Sequence, residues 1–335
     1  MSDSHPNRYR SLFWPMILIG VGVVWLLSNL GLLPTNSLWL LANLWPLLLV
    51  GIGLDLIFAR HLPAVGALIG LLLVGVVVVV LLVGPSLNLP QFSTTLQTKN
   101  LTVPLESYTS ATVELDLSSY STSIYALPDS SPNLFDSVVH YNGSLDFSAN
   151  GSGGNMDIRL GTNNFPGSWF IPGSFGGDTS WKIGLSPKAA LDLNINAASG
   201  SQNIDLTGLK LASLNYDGAS GSNNLRLPVS SQPYTVQIHG ASGSSDITLP
   251  ANTNLTLHLD GASGSLNVRL PESVGVRVEV NDSGSGSINV RSSLNRVSGA
   301  GRDKTGTWES AGYAQSDSKI LIVVDNAGSG SININ

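Results

Sequence analysis

The chain has 335 residues, and only 11% of them are charged, less than half of the roughly 25% usual in soluble globular proteins. A net charge of −6 with 16 lysines and arginines excludes the wide basic surface that nucleic acid requires. The absence of cysteine excludes disulfides, thiolate zinc sites and cysteine nucleophiles. No cofactor is expected, because no glycine-rich phosphate loop or nucleophile motif is present.

Residues 1–84 form an apolar region with three runs that are long enough to cross a bilayer. The runs are Leu12 to Leu33, Leu38 to Phe58 and Pro63 to Val83, each near the roughly 20 residues of a membrane helix. The sequence therefore predicts an N-terminal α-helical membrane region with three spans. In an alternative that stays open, residues 38–58 re-enter without crossing, which leaves two spans.

The few positive residues predict the orientation of these spans. Arg8 and Arg10 precede the first run, and Arg60 lies between the second and the third. Because positive residues favour the cytoplasmic side, three spans place the N-terminus inside and the chain after residue 84 outside the cytoplasm. We therefore expect a multi-pass membrane protein with an extracytoplasmic C-terminal domain. Two spans would make that domain cytoplasmic.

The first two runs share a Trp-Pro-x4-Gly-x-Gly motif, which begins at Trp14 and again at Trp45. Glycines let membrane helices approach closely, and the two copies supply Gly20, Gly22, Gly51 and Gly53. On this duplicated motif, residues 11–60 resemble the LiaI/LiaF-like transmembrane region of bacterial envelope-stress proteins.

After a linker at residues 85–99, the four-residue sequence Ala-Ser-Gly-Ser, or a near copy, recurs along the chain. Its central serines, spaced 21, 22, 21, 22 and 44 residues apart, are Ser199, Ser220, Ser242, Ser263, Ser285 and Ser329. A short fixed period is typical of a solenoid. The last gap equals two periods, so a further turn is expected there, masked by the polar segment Ser298 to Ser318. Gly243 lies in one of these turns, where a positive φ would make a β-branched residue strained.

Each period contains two short strands on either side of the turn. Leu255, Leu257 and Leu259 alternate with polar residues before one turn, and Leu266 and Val268 do so after it. This alternation directs one face inward, and stacked turns pair in parallel about 4.8 Å apart. The prediction is an all-β domain at residues 100–335, folded as a parallel β-solenoid with 21–22-residue repeats.

A column of polar side chains follows from the repeat. Four residues after each central serine lie Asn203, Asn224, Asp246, Asn267, Asn289 and Asn333. Stacked amides bond from turn to turn, so we expect a structural ladder. The alternative is a row of amides that binds a ligand.

A second column, three residues before the central serines, includes Asp217, His239 and Asp260 on adjacent turns, with His258 on the same face. Two carboxylates beside an imidazole could bind a divalent cation, so these three residues are weak candidates for a metal site. Asn and Asp are common where a strand enters a turn, which is the favoured interpretation. No catalytic residue and no metal site are therefore predicted.

The segment Gly161 to Trp181 interrupts the repeat with aromatic residues among glycines and prolines. The aromatic side chains are partner-binding candidates, namely Phe165, Trp169, Phe170, Phe175 and Trp181. Exposed aromatic residues on a loop suit a glycan, a lipid surface or a protein partner. Alternatively, they fold back and cover the open end of the solenoid.

The end of the chain carries a second resemblance. Thr307 to Tyr313, followed by Ile320 to Val324 and Gly328 to Ile334, resembles the end of the toastrack (putative adhesin) domain. The resemblance implies a β-solenoid of membrane-anchored bacterial proteins, without catalytic residues. It also implies a role in the envelope-stress response or in surface contact.

The expected function is that of a non-enzymatic protein of the bacterial cell membrane, engaged in LiaF-like sensing or regulation of envelope stress. A surface adhesin or scaffold is the alternative, and a glycan-active β-helix enzyme is less favoured. The expected partners are the lipid bilayer and a membrane sensor kinase or envelope components, without nucleic acid. The sequence leaves the oligomeric state open.

Overall fold

The computed structural model describes residues 12–30, 45–58, 63–83, 97–118, 120–141, 144–163, 180–218, 220–240, 242–261, 263–272, 274–299 and 304–335. The chain divides into two compact units. The helices belong to the first unit, and the strands belong to the second.

Three helices make up the described part of the first unit: α1 at Phe13–Asn29, α2 at Trp45–Phe58 and α3 at Pro63–Val83. Prolines stand in the first turn of each helix, where the missing N–H removes no helical hydrogen bond. The described part of the second expected run, Trp45–Phe58, is helical throughout, and residues 38–44 lie outside the described residues. Within these helices, no segment combines the length and the hydropathy needed to cross a bilayer.

Glycines set the spacing between the helices of this unit. A Cβ on Gly20 of α1 would overlap the side chain of Val74 on α3, and a Cβ on Gly51 of α2 would lie 2.6 Å from Cδ1 of Leu73. Gly22 and Gly53 have no such neighbour within 4 Å. The first glycine of each motif copy therefore allows α1 and α2 to pack closely on α3.

The second unit is all-β. Its strands are β1 (Gln97–Pro104), β2 (Ser110–Ser118), β3 (Thr122–Ala126), β4 (Asn133–Tyr141), β5 (Ser144–Ser152), β6 (Asn155–Asn163), β7 (Trp181–Leu185), β8 (Ala190–Ala197), β9 (Ser201–Asp205), β10 (Lys210–Gly218), β11 (Ser222–Arg226), β12 (Tyr234–Gly240), β13 (Ser244–Thr248), β14 (Leu255–Gly261), β15 (Ser265–Arg269), β16 (Gly275–Val280), β17 (Ser287–Val290), β18 (Asn295–Ser298), β19 (Gly306–Glu309), β20 (Lys319–Asn326) and β21 (Ser331–Ile334). A short 3₁₀ turn at Tyr313–Gln315 precedes β20.

These strands form two sheets whose inner faces share one apolar core. Sheet A has the order β1-β4-β7-β3-β9-β11-β13-β15-β21-β17, and sheet B has the order β18-β19-β16-β20-β14-β12-β10-β8-β2-β6-β5. From β8 to β15 the chain alternates between the two sheets, and each strand pairs in parallel with the strand one turn away. Two consecutive strands on either side of an Ala-Ser-Gly-Ser turn thus form one layer of a stack.

The alternation of apolar residues places the core as expected. Leu255, Leu257 and Leu259 of β14 are buried, and so are Leu266 and Val268 of β15. The strands β11, β13 and β15 end two residues before a proline, which has no N–H to donate to a further ladder bond.

At both ends of the stack, the order of the layers departs from the order of the sequence. The layers follow one another as β6/β7, β2/β3, β8/β9, β10/β11, β12/β13, β14/β15, β20/β21 and β16/β17. The expected further turn between residues 285 and 329 is a wrong prediction for the described residues 291–299 and 304–318, which form β18, β19 and the 3₁₀ turn instead. The double gap in the repeat arises because β18, β19 and the 3₁₀ turn lie in the sequence between the layer β16/β17 and the layer β20/β21.

Antiparallel strands flank the parallel stack at each end. β5 pairs with β6, and β4 pairs with both β7 and β1. At the opposite end, β19 pairs with β16 and β18. These strands provide hydrogen-bond partners for the backbone N–H and C=O groups that the terminal parallel strands would otherwise expose along an open edge.

The turn glycines stack directly on one another. The carbonyl of Gly221 accepts a hydrogen bond from the N–H of Ser244 at 2.9 Å, and the carbonyl of Gly243 accepts one from Ser265 at 3.0 Å. A Cβ on Gly243 would overlap the carbonyl oxygen of Gly221 and lie 2.8 Å from its nitrogen. Gly221 has a φ of 112°, but Gly243 is not among the residues with positive φ. Lack of space rather than a positive φ therefore requires glycine at position 243.

We expect Gly243→Val to lower the free energy of unfolding by about 3 kcal/mol, because the new side chain forces two turns apart. The control is Thr256→Val on the outer face of sheet B, for which we expect a change of no more than about 0.5 kcal/mol. Chemical denaturation of the two variants measures both values. Equal losses would contradict the assignment of these glycines to the stacked turns.

Candidate functional site

The polar column that follows the turns lies on the outer face of sheet A, where neighbouring side chains form a ladder of hydrogen bonds in two runs, one from Asn203 to Asn224 and one from Asp246 to Asn289. Asn224 donates through Nδ2 to Oδ1 of Asn203 at 3.4 Å, and Asn267 donates to Oδ1 of Asp246 at 3.1 Å. Asn333 donates to Oδ1 of Asn267 at 2.8 Å. The amide groups bond to one another, which supports the structural interpretation over a row of amides reserved for a ligand.

The ladder follows the spatial order of the layers. Asn289 donates to Oδ1 of Asn333 at 2.7 Å, although the two residues are 44 positions apart. Asn333 therefore lies between Asn267 and Asn289, and its side chain connects the inserted layer to both neighbours. Serines form a parallel row beside it, as in the contact of 3.2 Å between Oγ of Ser265 and Oγ of Ser331.

The second polar column lies on the outer face of sheet B, where parallel register aligns Asp217, His239 and Asp260. Nδ1 of His239 is 3.5 Å from Oδ2 of Asp260, and each side chain is about half exposed. Beside them, Nδ1 of His258 lies 2.9 Å from Oδ2 of Asp325, and Asn281 donates to Oδ1 of that carboxylate at 3.4 Å. We call these five residues, Asp217, His239, His258, Asp260 and Asp325, the histidine–carboxylate surface.

The histidine–carboxylate surface consists of exposed contacts between imidazoles and carboxylates. Solvent screens such pairs, so each contributes little to stability. Within the described part of the chain, no group of three or more His, Asp or Glu side chains is arranged to hold a metal ion. Each imidazole has one carboxylate in contact, and the carboxylate of Asp325 also accepts from an amide.

Two family models match this chain. Residues 12–57 match the LiaI-LiaF-like transmembrane region, and residues 92–249 match the N-terminal domain of toast_rack, DUF2154. The chain thus carries a LiaI-LiaF-like region followed by a toastrack domain, in agreement with both resemblances found in the sequence. A comparison with the curated proteins found no match.

Two crystal structures are similar to a large part of this chain. One is a putative cell adhesion protein from Clostridium sporogenes, with 16% identity and a TM-score of 0.48, covering 72% of this chain and 99% of the other. The other is a putative adhesin from Bacteroides fragilis, with 11% identity and a TM-score of 0.28, covering 73% of this chain and 99% of the other.

The toastrack domain also contains a buried polar row that the sequence pattern did not reveal. The first inward position after the turn carries Gln202, Asn223 and Ser245 on successive layers, where β15 has Leu266. Asn223 donates through Nδ2 to Oγ of Ser245 at 3.1 Å, and Gln202 donates to the carbonyl oxygen of Tyr120 at 3.0 Å. The only signal in the sequence is that apolar alternation breaks at these positions.

Two tyrosines of this domain are buried in the core. Burial raises the pKa of the phenols of Tyr216 and Tyr234, because the core disfavours the charged phenolate. Tyr234 donates to the carbonyl oxygen of Pro228 at 2.7 Å. Both side chains therefore remain neutral and act as packing groups rather than acid–base groups.

The prediction that Trp181 is exposed for partner binding is wrong, because the structure buries this side chain. Trp181 lies in β7 and is 0% exposed; its ring stacks on Tyr120 with centroids 5.1 Å apart, and its Nε1 donates to the carbonyl oxygen of His140 at 3.0 Å. It packs in the core because its strand pairs with β3 and β4 and directs the indole inward. The other candidates lie outside the described residues, namely Phe165, Trp169, Phe170 and Phe175.

We expect Asn333→Ala to lower the free energy of unfolding by about 1 to 2 kcal/mol, because it removes two side-chain hydrogen bonds at once. Asn203→Ala is the matched control, since the one ladder bond described for Asn203 is the long one from Asn224. Chemical denaturation should show the smaller loss for the control. If Asn333→Ala is no more destabilised than Asn203→Ala, the ladder does not stabilise the inserted layer.

Proposed function

We propose that this chain is a non-enzymatic protein of the bacterial envelope that takes part in sensing or regulating envelope stress in the LiaF-like manner. The observation that carries this proposal is the order of the two matched regions, a LiaI-LiaF-like transmembrane region ahead of a toastrack domain. That order links a membrane segment to a rigid stack of layers within one polypeptide.

Membrane anchoring has support in the surface of the helices. Large apolar side chains point away from the helix contacts, as with Leu18 at 70% exposure and Trp25 at 71%. Contiguous apolar surface of this kind is costly in water and favourable in lipid. The lipid bilayer is therefore the first partner that we propose, with the three apolar runs as three spans.

The proposed orientation places the toastrack domain outside the cytoplasm. Arg8, Arg10 and Arg60 then lie on the cytoplasmic side, as the positive-inside rule requires. The stack, as a solenoid of 21–22-residue repeats, presents its rows of amides, hydroxyls and imidazole–carboxylate contacts to the envelope. A membrane sensor kinase or another envelope component is the proposed partner of this surface.

The non-enzymatic character of the proposal has support in the chemistry of the outer faces. The ladder amides bond to one another, and the imidazoles of His239 and His258 lie beside Asp260 and Asp325 on exposed sheet surface. A general acid or base needs a site that positions substrate and excludes water. Half-exposed contacts between imidazoles and carboxylates on an outer sheet face do not provide one.

The orientation is testable with single cysteines, since the native chain has none. We expect Ser293→Cys, in the exposed connection after β17, to react with a membrane-impermeant maleimide in intact cells. Ser4→Cys, at the N-terminus, should react only after lysis. Labelling of both sites only after lysis would contradict the proposed orientation and would favour a role toward cytoplasmic proteins.

The role is testable in a strain that lacks the gene. We expect the deletion to change the transcription of envelope-stress genes after treatment with a wall-active antibiotic, and the full chain to restore it. Thr256→Val should also restore the response, whereas Gly243→Val, which separates the stacked turns, should not. A change in surface attachment without a change in transcription would favour the adhesin role. No change in either property would refute the proposal.

A further inference from the structure

A small cavity lies on the inner side of the Ala-Ser-Gly-Ser turns, within the β unit. Its volume is about 10 Å³, which accommodates one water molecule. The glycines that end three strands of sheet B line it, namely Gly218, Gly240 and Gly261. The turn glycines of two layers also line it, together with Asn223 and Ser245. The cavity is therefore bounded mainly by backbone, and a few side chains decide what it holds.

The cavity exists because the inward side chain that follows each turn differs between layers. Leu266 of β15 fills the space beside Gly240, since a Cβ on that glycine would lie 3.2 Å from Cδ2 of the leucine. Ile332 of β21 fills the equivalent space of the next layer, where its Cδ1 would lie 3.6 Å from a Cβ on the strand-end glycine. The register of the repeat gives Ser245 of β13 the same place beside Gly218. A serine side chain is too short to fill that space, so room remains.

Two buried polar side chains, Asn223 and Ser245, face this room. Asn223 is 8% exposed and Ser245 is 6% exposed, and Nδ2 of the amide donates to Oγ of the serine at 3.1 Å. Oδ1 of Asn223 has no hydrogen-bond partner among the described residues. The hydroxyl of Ser245 accepts from Asn223 and can donate its own hydrogen as well. Buried oxygens of this kind are paired with protein groups or with ordered water in native proteins.

The phenol of Tyr216 brings a third polar group to the same place. Tyr216 is 2% exposed and precedes Gly218 by two residues on β10. A Cβ on Gly218 would lie 3.2 Å from the phenolic oxygen, so the hydroxyl lies beside the cavity wall. Within the described part of the chain, this hydroxyl also has no hydrogen-bond partner. Tyr234, by contrast, donates to the carbonyl oxygen of Pro228.

We propose that this cavity binds a single water molecule, held by Asn223, Ser245 and Tyr216. The water donates to Oδ1 of Asn223, accepts from the hydroxyl of Ser245 and forms a third hydrogen bond with the hydroxyl of Tyr216. Buried waters typically form about three hydrogen bonds to polar groups that lack other partners. Among the described residues that line the cavity, none is charged. This favours water over a metal cation, because three neutral oxygens do not offset the loss of a cation's hydration shell.

The bound water links two layers of the stack. Tyr216 and Asn223 belong to the layer β10/β11, and Ser245 belongs to the layer β12/β13. One layer further on, Leu266 makes the corresponding contact by apolar packing against the glycine below it. The break in apolar alternation at Asn223 and Ser245 therefore replaces a packed side chain with a hydrogen-bonded water.

Radiolytic footprinting tests the site on the full-length wild-type protein in detergent. An X-ray pulse converts a bound water into a hydroxyl radical in place, and this radical oxidises the nearest side chain. A scavenger that is too large to enter the core removes the radicals of the bulk solvent. We expect the scavenger to suppress the oxidation of Tyr125, which is 40% exposed, several-fold and to leave that of Tyr216 unchanged. Mass spectrometry of the two peptides measures both rates.

Ser245→Leu provides a variant in which the space is filled, because it introduces the side chain that β15 carries at the same position. We expect it to displace the water and to lower the oxidation of Tyr216 several-fold. The matched control is Ser244→Leu, the same substitution one residue earlier on the outer face, which should leave this oxidation unchanged. Tyr234 reports on the fold, since its oxidation rises if a variant opens the core. If it rises in Ser245→Leu, the filled variant is Asn223→Leu, which also removes Oδ1.

The proposal is overturned if Tyr216 of the wild-type protein is not oxidised, or if the scavenger suppresses its oxidation as strongly as that of Tyr125. Equal oxidation of Tyr216 in the wild type and in a filled variant with unchanged Tyr234 also overturns it. All of these residues lie in the β unit. The outcome is therefore independent of the orientation of the chain in the membrane and of the proposed function.

Discussion

The close approach of glycine backbones at the turns is the constraint on which the β unit depends. The carbonyls of Gly221, Gly243 and Gly264 each accept a hydrogen bond from a serine N–H of the next layer, and a Cβ at any of the three would overlap the turn glycine of the preceding layer. This contact fixes the register between layers. A shift by one residue would turn the apolar strand positions outward, so the same contact determines which residues form the core.

Fixed register also creates the rows of polar side chains on the outer faces of the two sheets. Because equivalent positions lie one strand spacing apart, the amides of Asn267, Asn333 and Asn289 reach one another, and His239 reaches Asp260. The rows are thus a consequence of the repeat rather than of separate local designs. Their regularity supports the proposal that another extended surface of the envelope recognises them.

Glycine has a related role in the helical unit, where Gly20 and Gly51 let α1 and α2 pack closely on α3. Asp55 of α2 is only 6% exposed, so the one carboxylate of these helices is part of the packed unit. Beyond these contacts, the outward side chains are apolar. A unit of this composition is suited to a lipid environment, whereas the β unit is suited to water, and this contrast underlies the proposed anchoring.

The sequence alone determined the elements that depend on local pattern: the apolar runs, the alternation in strands such as β14 and β15, the turn glycines and the asparagine column. Each of these features depends only on which residues follow one another along the chain, so the sequence is enough to reveal it. Tertiary structure decided the order of the layers. The apolar alternation of β14 and of β16 would let these two strands pair directly, and no local sequence feature shows that β20 lies between them. Tertiary structure also decided that Trp181 is in the core, since burial depends on which strands pair around it. The buried amides of Gln202 and Asn223 belong to the same class, because their partners come from other layers and the sequence does not specify which layers meet.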